Sequence, residues 1–280
     1  MLVSEYMRAV AAELKNAGIG TYLLDSEILV SHALNTDRFR LLANCEKSLA
    51  PEEMKEIDRL VKRRLRFEPV AYITQRKEFY SLEFFVNRSV LIPRPETELL
   101  VDLVIYYAPQ NGSVIDLGTG SGAIAVAVKH NRADCVVYGT DISRKALRVA
   151  SANARAILGC KAVVFKEGDL FNAVSEESFD IIVSNPPYVD REKAEFLQKD
   201  LLHEPEVALF AGDHGRETIR KIVYESKDHL HPRGIVLVEI GEEMKDFIAD
   251  LGNREGFSVS VLNDHAGLPR VAVLKSCSGQ

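Results

Sequence analysis

The sequence predicts an α/β protein in which a mostly parallel sheet of seven strands, covered by helices on both faces, follows a small N-terminal bundle of helices. Three observations carry this reading. Residues 1–66 show helical periodicity alone. From Pro95 onward short apolar runs alternate with helical segments, as in a parallel sheet whose crossovers cover it. The last two runs are joined by only a short turn, which predicts one antiparallel strand at or near an edge.

Within the bundle, Met7, Val10, Ala11 and Leu14 repeat at i, i+3, i+4, i+7 and form one apolar stripe. A second helix is expected over residues 25–34. Pro51 opens a third, with Glu52 and Glu53 in its first turn and Lys62, Arg63, Arg64 and Arg66 at its end, charges that complement the helix dipole. Its buried stripe is Met54, Ile57, Leu60, Val61 and Leu65. Residues 72–92 change to aromatic and β-branched types broken by Ser81 and Asn87, the pattern of a hairpin. The expected domains are therefore a helical bundle over 1–71, a hairpin linker over 72–92, and the sheet domain over 93–280. The expected strands are 113–117, 136–140, 162–166, 179–184, 235–240, 257–262 and 271–274.

Composition narrows the function. The 280 residues are 46% hydrophobic and 27% charged, and 35 basic against 41 acidic side chains leave a net charge of −6. That balance argues against affinity built on neutralising many nucleic-acid phosphates. The four cysteines, Cys45, Cys135, Cys160 and Cys277, are scattered, so a reduced protein without a structural metal is expected. No apolar run approaches the roughly 18 residues that span a bilayer. The N-terminus fits no targeting peptide, so the expected location is cytoplasmic.

Two motifs carry chemistry. Gly118, Thr119, Gly120, Ser121 and Gly122 follow a buried strand and open a helix. Glycines in that turn let the backbone approach a ligand at the carboxyl end of the sheet. The spacing is GxGxG, where a dinucleotide fold would show GxGxxG. Asp141 ends the next strand, where a carboxylate accepts from a ribose diol or else caps the helix beginning near Ser143. This arrangement resembles the S-adenosylmethionine-binding half of the seven-stranded, Rossmann-like methyltransferases. That resemblance, not the spacing, selects the cofactor, and it implies that Leu170 in the Gly168-Asp169-Leu170 loop walls the adenine ring. Asp169 either accepts from the adenine amine or simply makes a turn.

The second motif is Asn185-Pro186-Pro187-Tyr188, directly after the strand at 179–184. Two prolines stiffen the backbone and expose carbonyls. An amide or exocyclic amine nitrogen is a poor nucleophile because its lone pair is delocalised. Acceptors that grip both its N–H bonds let the lone pair develop toward a methyl donor. The Asn185 oxygen and the Pro186 carbonyl are such acceptors, and the Tyr188 ring can pack on the flat target. Catalysis of this kind is positioning and electrostatics, without a general base.

Around these motifs stand residues 79–84 (FYSLEF), 91–98 (LIPRPETE), 203–209 (HEPEVAL) and 264–267 (DHAG) with Arg270. With the leading helices, this ordered set is similar to the peptide chain release factor glutamine methyltransferases over nearly the whole chain. The resemblance implies transfer of a methyl group from S-adenosylmethionine to the glutamine of the Gly-Gly-Gln loop of class I release factors. It implies that Asn185 to Tyr188 bind that glutamine, that Gly118 to Gly122, Asp141, Leu170 and Asn185 hold the cofactor, and that neither nucleic acid nor membrane is a partner. The alternatives are an amino-methyltransferase for adenine or cytosine of nucleic acid, or for a glutamine of a ribosomal protein. Gln75 and Ser81 stand where the family usually has glycine. Arg94 and Glu96 are assigned to the start of the helix at Pro95 ahead of a direct role in the substrate cleft, and Glu239 to the carboxyl edge of the sheet rather than to a catalytic acid.

Overall fold

The structure is a computed structural model that describes residues 1–159, 162–192 and 198–276. Cys45 and Cys135 are free thiols, while Cys160 and Cys277 lie outside the described residues. The chain divides into two compact units, residues 1–76 with 198–203, and residues 77–197 with 204–280. Among the described residues no helix is long and apolar enough to cross a membrane.

The first unit holds helices α1 (Val3–Asn16), α2 (Tyr22–Ala33), α3 (Arg38–Ala43), α4 (Pro51–Arg64) and α5 (Val70–Thr74). The α1 stripe lies in the core through Val10, Ala11 and Leu14, with Met7 packed beside it. The Pro51 helix is the fourth, because α3 intervenes. Asp37 caps α3, accepting from the Arg40 N–H at 2.8 Å, yet Leu41 is its one buried residue, so no periodic stripe announced it. Helix α2 begins one turn earlier than expected, and Asp25, which looked like its first residue, is buried inside it.

The end of α4 corrects the dipole reading of Arg64. That side chain is buried, and its Nε donates to Asp25 Oδ2 at 2.7 Å. It also lies 3.0 Å from Asp200 in the short 3₁₀ turn Lys199–His203. The same turn sets the Lys199 ammonium 4.4 Å from the Phe67 ring centre and the His203 Nε2 2.9 Å from the Arg66 carbonyl.

In the second unit the hairpin β1 (Arg76–Phe79) and β2 (Leu82–Phe85) turns on Tyr80 and Ser81, whose φ angles of 51° and 58° are both left-handed. A two-residue hairpin turn of this kind matches the twist of its strands and favours Asn and Gly. Gln75, which ends α5, is left-handed too, at φ 59°. The two departures from family glycines therefore sit where a side chain is strained.

The remaining elements are α6 (Glu98–Tyr107), β3 (Ser113–Leu117), α7 (Ala123–Asn131), β4 (Val136–Asp141), α8 (Arg144–Leu158), β5 (Val164–Glu167) and β6 (Phe179–Ser184). Next come the short β7 (Val189–Asp190), α9 (Glu206–Leu209), β8 (Phe210–Ala211) and α10 (Gly212–Gly215), the last a turn with left-handed Asp213 and His214. The chain closes with α11 (Glu217–His229), β9 (Leu230–Glu239), α12 (Lys245–Arg254), β10 (Phe257–Asn263) and β11 (Pro269–Ser276).

The sheet has seven strands in the order β10-β11-β9-β6-β3-β4-β5. All neighbours from β9 to β5 are parallel, and β11 enters antiparallel beside the edge strand β10, as expected. Alternate residues of β3, β9 and β11 (Ile115 and Leu117, Val236 and Val238, Ala272 and Leu274) bury one face against Ile219, Ile222 and Val223 of α11 and Ile248 of α12. The strand order reverses between β3 and β6, so the crevice at their carboxyl ends is the ligand-binding position of an open α/β sheet.

Candidate active site

Both sequence motifs meet at that crevice. Leu117, last in β3, is in register with Ser184, last in β6, and the Ser184 hydroxyl donates to the Leu117 carbonyl at 2.7 Å. The glycine loop and Asn185 are thereby set side by side. Gly118, Gly120, Asp141, Leu170, Asn185 and Pro187 all line one cleft. Gly118 and Gly120 have φ of +70° and +55° and open space where a Cβ would stand. The positive φ favours glycine, and the open space leaves the backbone bare to the cleft.

Thr119, Ser121 and Gly122 lie behind this surface. The Thr119 hydroxyl donates to Asp116 Oδ2 at 2.6 Å, and the Ser121 carbonyl accepts from the Asn153 side chain at 2.8 Å. A Cβ on Gly122 would press on Ala150 of α8, so this glycine serves helix packing. Asn153 also exchanges hydrogen bonds with the Phe85 backbone, at 2.8 and 3.0 Å, and so ties the hairpin to the glycine loop.

Asp141 is held by the loop it serves. Its oxygens accept from the Gly120 N–H at 2.9 Å and the Ser143 N–H at 2.8 Å. Capping of α8 falls to the Ser143 hydroxyl, which accepts from Ala146. Each Asp141 oxygen keeps a further lone pair for a ligand hydroxyl, and burial raises its carboxyl above the ordinary range. The Leu170 carbonyl accepts from the Thr140 hydroxyl at 3.0 Å, which fixes Leu170 in a left-handed conformation at the cleft wall.

Asp116 is a residue the sequence reading passed over. It is fully buried at the end of β3, and burial pushes its carboxyl up to about 7. Its Oδ1 has no hydrogen-bond partner among the described residues. A buried orphan acceptor beside the glycine loop is an unmet demand for a donor.

The Asn185 side chain is anchored from behind. Its Nδ2 donates to Thr97 Oγ1 at 3.0 Å, and Thr97 Oγ1 donates to Glu239 Oε2 at 2.7 Å. The Tyr188 hydroxyl approaches Glu239 Oε1 at 3.3 Å. Burial raises Glu239, and Tyr188 is pushed up to about 12, chiefly by burial and by the Glu239 charge. The Tyr188 ring does not line this cleft. It bounds a neighbouring depression with Gly241 and Met244, and Pro186 is buried and lines neither. Gly215, at φ +84°, passes so close to the Tyr188 carbonyl that no side chain fits there.

The assignment of Arg94 to the helix start is replaced by a longer reach. It pairs with Glu204, which also accepts from the Ile92 N–H at 2.9 Å. The IPRPETE and HEPEVAL segments are thus one physical unit. Their spacing in sequence gave no sign of it, although both were singled out as blocks.

Two family models match the chain, the PrmC N-terminal domain over residues 5–74 and the methyltransferase small domain over residues 95–216. A release factor glutamine methyltransferase of Neisseria gonorrhoeae is 42% identical over 90% of this chain and 93% of its own. One from Buchnera aphidicola is 36% identical over 98% of this chain and 99% of its own. The fold is also that of a Pyrococcus furiosus methyltransferase crystal structure, with a TM-score of 0.54 at 21% identity over 71% of this chain and 90% of the other. Sheet order, motif placement and relatives spanning both units converge: the chain belongs to the release factor glutamine methyltransferase family.

Proposed function

We propose that the protein transfers a methyl group from S-adenosylmethionine to the side-chain amide nitrogen of the glutamine in the Gly-Gly-Gln motif of class I peptide chain release factors. The observation that carries this reading is the placement of Asn185 and Pro187 in the same cleft as Gly118, Gly120 and Asp141. A target nitrogen held by the proline-rich turn then lies beside whatever the glycine loop binds.

The residues present fit the cofactor. Gly118 and Gly120 leave room for its methionine part, Asp141 offers two oxygens to a ribose diol, and Leu170 offers an apolar wall to adenine. The orphaned Asp116 oxygen suits the ammonium end, directly or through water. When bound, the cofactor supplies an electrophilic methyl group on a sulfonium centre.

The protein's own part is to hold the nucleophile. The Asn185 oxygen and the Pro186 carbonyl accept the two hydrogens of the target amide, so its nitrogen lone pair points toward the donor. Positive charge then grows on a nitrogen already facing preorganised acceptors, which is where such acceptors stabilise most. Among the described residues no histidine lines the cleft, in keeping with a reaction that needs no base before the methyl arrives. In this reading the helical domain, residues 1–71, docks the substrate protein, and its exposed Phe39 and Leu23 (86% and 59% accessible) suit that role.

The test is Asn185→Ala assayed with labelled cofactor on a class I release factor, its Gly-Gly-Asn variant, and DNA side by side. The wild type should label only the Gln-containing factor, and the variant should lose roughly 10²–10³-fold in rate. Full turnover by Asn185→Ala, or labelling of DNA or of the Asn factor, would overturn the reading.

A further inference from the structure

An asparagine amide has two ends, and only one is useful here. With its oxygen toward the target NH₂, Asn185 accepts a hydrogen bond. Turned over, it presents NH₂ to NH₂, donor against donor. Nothing in the cleft itself imposes the choice, because the isolated side chain is nearly symmetric in shape.

The choice is made behind the cleft. Glu239 is 2% accessible and Thr97 is 4% accessible. Each Glu239 oxygen faces a hydroxyl, Thr97 at 2.7 Å and Tyr188 at 3.3 Å, and the single hydrogen of the Thr97 hydroxyl goes to Glu239. The Thr97 oxygen is left with lone pairs alone on its other side, 3.0 Å from the Asn185 amide. Only the NH₂ end can meet it. The reversed amide would set oxygen against oxygen in a buried place and leave the Thr97 lone pairs without a donor.

The same carboxylate receives the Tyr188 hydroxyl at 3.3 Å on its other oxygen. One buried side chain at the end of β9 therefore reaches both ends of the Asn185–Tyr188 turn. The register of β9 with β6, Val238 beside Ser184, brings it there.

We propose that Thr97 and Glu239 are positioning residues for methyl transfer, which lock the Asn185 amide with its oxygen toward the target nitrogen. The proposal rests on the reading of Asn185 given above. Neither residue touches substrate. They act through the orientation of the one that does, and a network satisfied in a single sense is how a buried site rejects the wrong rotamer.

Thr97→Val keeps the shape and removes both hydrogen-bonding roles. In the full-length protein it should lower kcat on the release factor roughly 10- to 100-fold while leaving S-adenosylmethionine affinity unchanged, and Thr97→Ser should restore most of the rate. In an Asn185→Ala background, Thr97→Val should cost nothing further, because there is no amide left to orient. A purely structural tie predicts the same loss in both backgrounds. A readout independent of substrate is the Asn185 side-chain amide in ¹⁵N-labelled protein, identified by its absence from Asn185→Ala. One of its hydrogens should be protected from exchange in the wild type and in Thr97→Ser, and unprotected in Thr97→Val. Should Thr97→Val not fold, Thr97→Ala serves the same comparisons. Wild-type kcat in Thr97→Val, equal losses in the two backgrounds, or an Asn185 amide unchanged by Thr97→Val would each overturn the proposal. Failure of the wild type to methylate the release factor would instead overturn the function, and the amide measurement would still decide the orientation.

Discussion

In the helical unit the buried Arg64 guanidinium meets the carboxylates of Asp25 and Asp200, and the neighbouring Arg63 meets Glu68 at 2.8 Å. In the larger unit the buried Asp116 and Glu239 accept hydrogen bonds from neutral donors, the Thr119 hydroxyl and Ala125 N–H for one and the Thr97 and Tyr188 hydroxyls for the other, and the Arg270 charge offsets the burial of Glu239 only in part. The first arrangement cancels charge and holds helices together. The second leaves carboxyl groups above their ordinary range beside the cleft, the condition in which such groups respond to a ligand or fix a neighbour. Burial of ionisable groups is thus met by opposite charge in one unit and chiefly by hydroxyl and amide donors in the other.

Breaking the paired side should have the largest effect. Arg64→Met leaves Asp25 buried with, among the described residues, the Thr21 hydroxyl as its side-chain donor, at 2.8 Å, and should lower stability by about 4 kcal/mol in urea unfolding. A loss within experimental error would mean that the pair contributes nothing net. Next comes the side of the cleft formed by Gly120 and Asp141. Asp141→Ala should weaken S-adenosylmethionine binding by about 3 kcal/mol, through two lost charge-assisted bonds and a loosened Gly120. Calorimetry with unchanged affinity would remove Asp141 from the site.

The unpaired side is best read by pH. The Asp116 carboxyl sits at about 7 when folded, against about 3.9 in an unfolded chain. A raised carboxyl binds its proton more tightly in the folded state. Its stabilising contribution is therefore complete below pH 4 and is lost as pH rises to 7. Between pH 7 and pH 5.5 the cofactor-free protein should gain about 2 kcal/mol from this group. Asp116→Asn should flatten that part of the profile, and identical pH slopes for variant and wild type would rule out a titrating Asp116.

The smallest effect concerns strain. Gln75→Gly should stabilise by about 1 kcal/mol, since relief of the left-handed φ of 59° outweighs the added freedom of the unfolded chain. A lower melting temperature for that variant would show that the Gln75 side chain repays its conformation through contacts.

The glycine loop and the proline-rich turn were legible because each is contiguous: a strand, a tight turn and a helix start write their needs into adjacent residues. Their anchors were not. Thr97 and Glu239 stand 142 positions apart, and Arg94 and Glu204 stand 110 apart. Glu239 was assigned to the sheet edge, which is where it lies, but nothing in β9 announces the hydroxyl waiting opposite it. Helix α3 escaped notice because a six-residue helix with one buried side chain has no period to read.

The sequence by itself determined the alternation of strands and helices, the bundle before them, and the two turns that carry glycine and proline, all of which follow from local propensity and apolar spacing. Only the tertiary structure decided which buried acids are paired, which way Asn185 faces, and that Thr119, Ser121 and Gly122 stand behind the cleft while Gly118 and Gly120 line it. Those outcomes depend on strand order and register, set by how the apolar faces of distant segments fit together, and neighbouring residues along a chain carry no record of that fit.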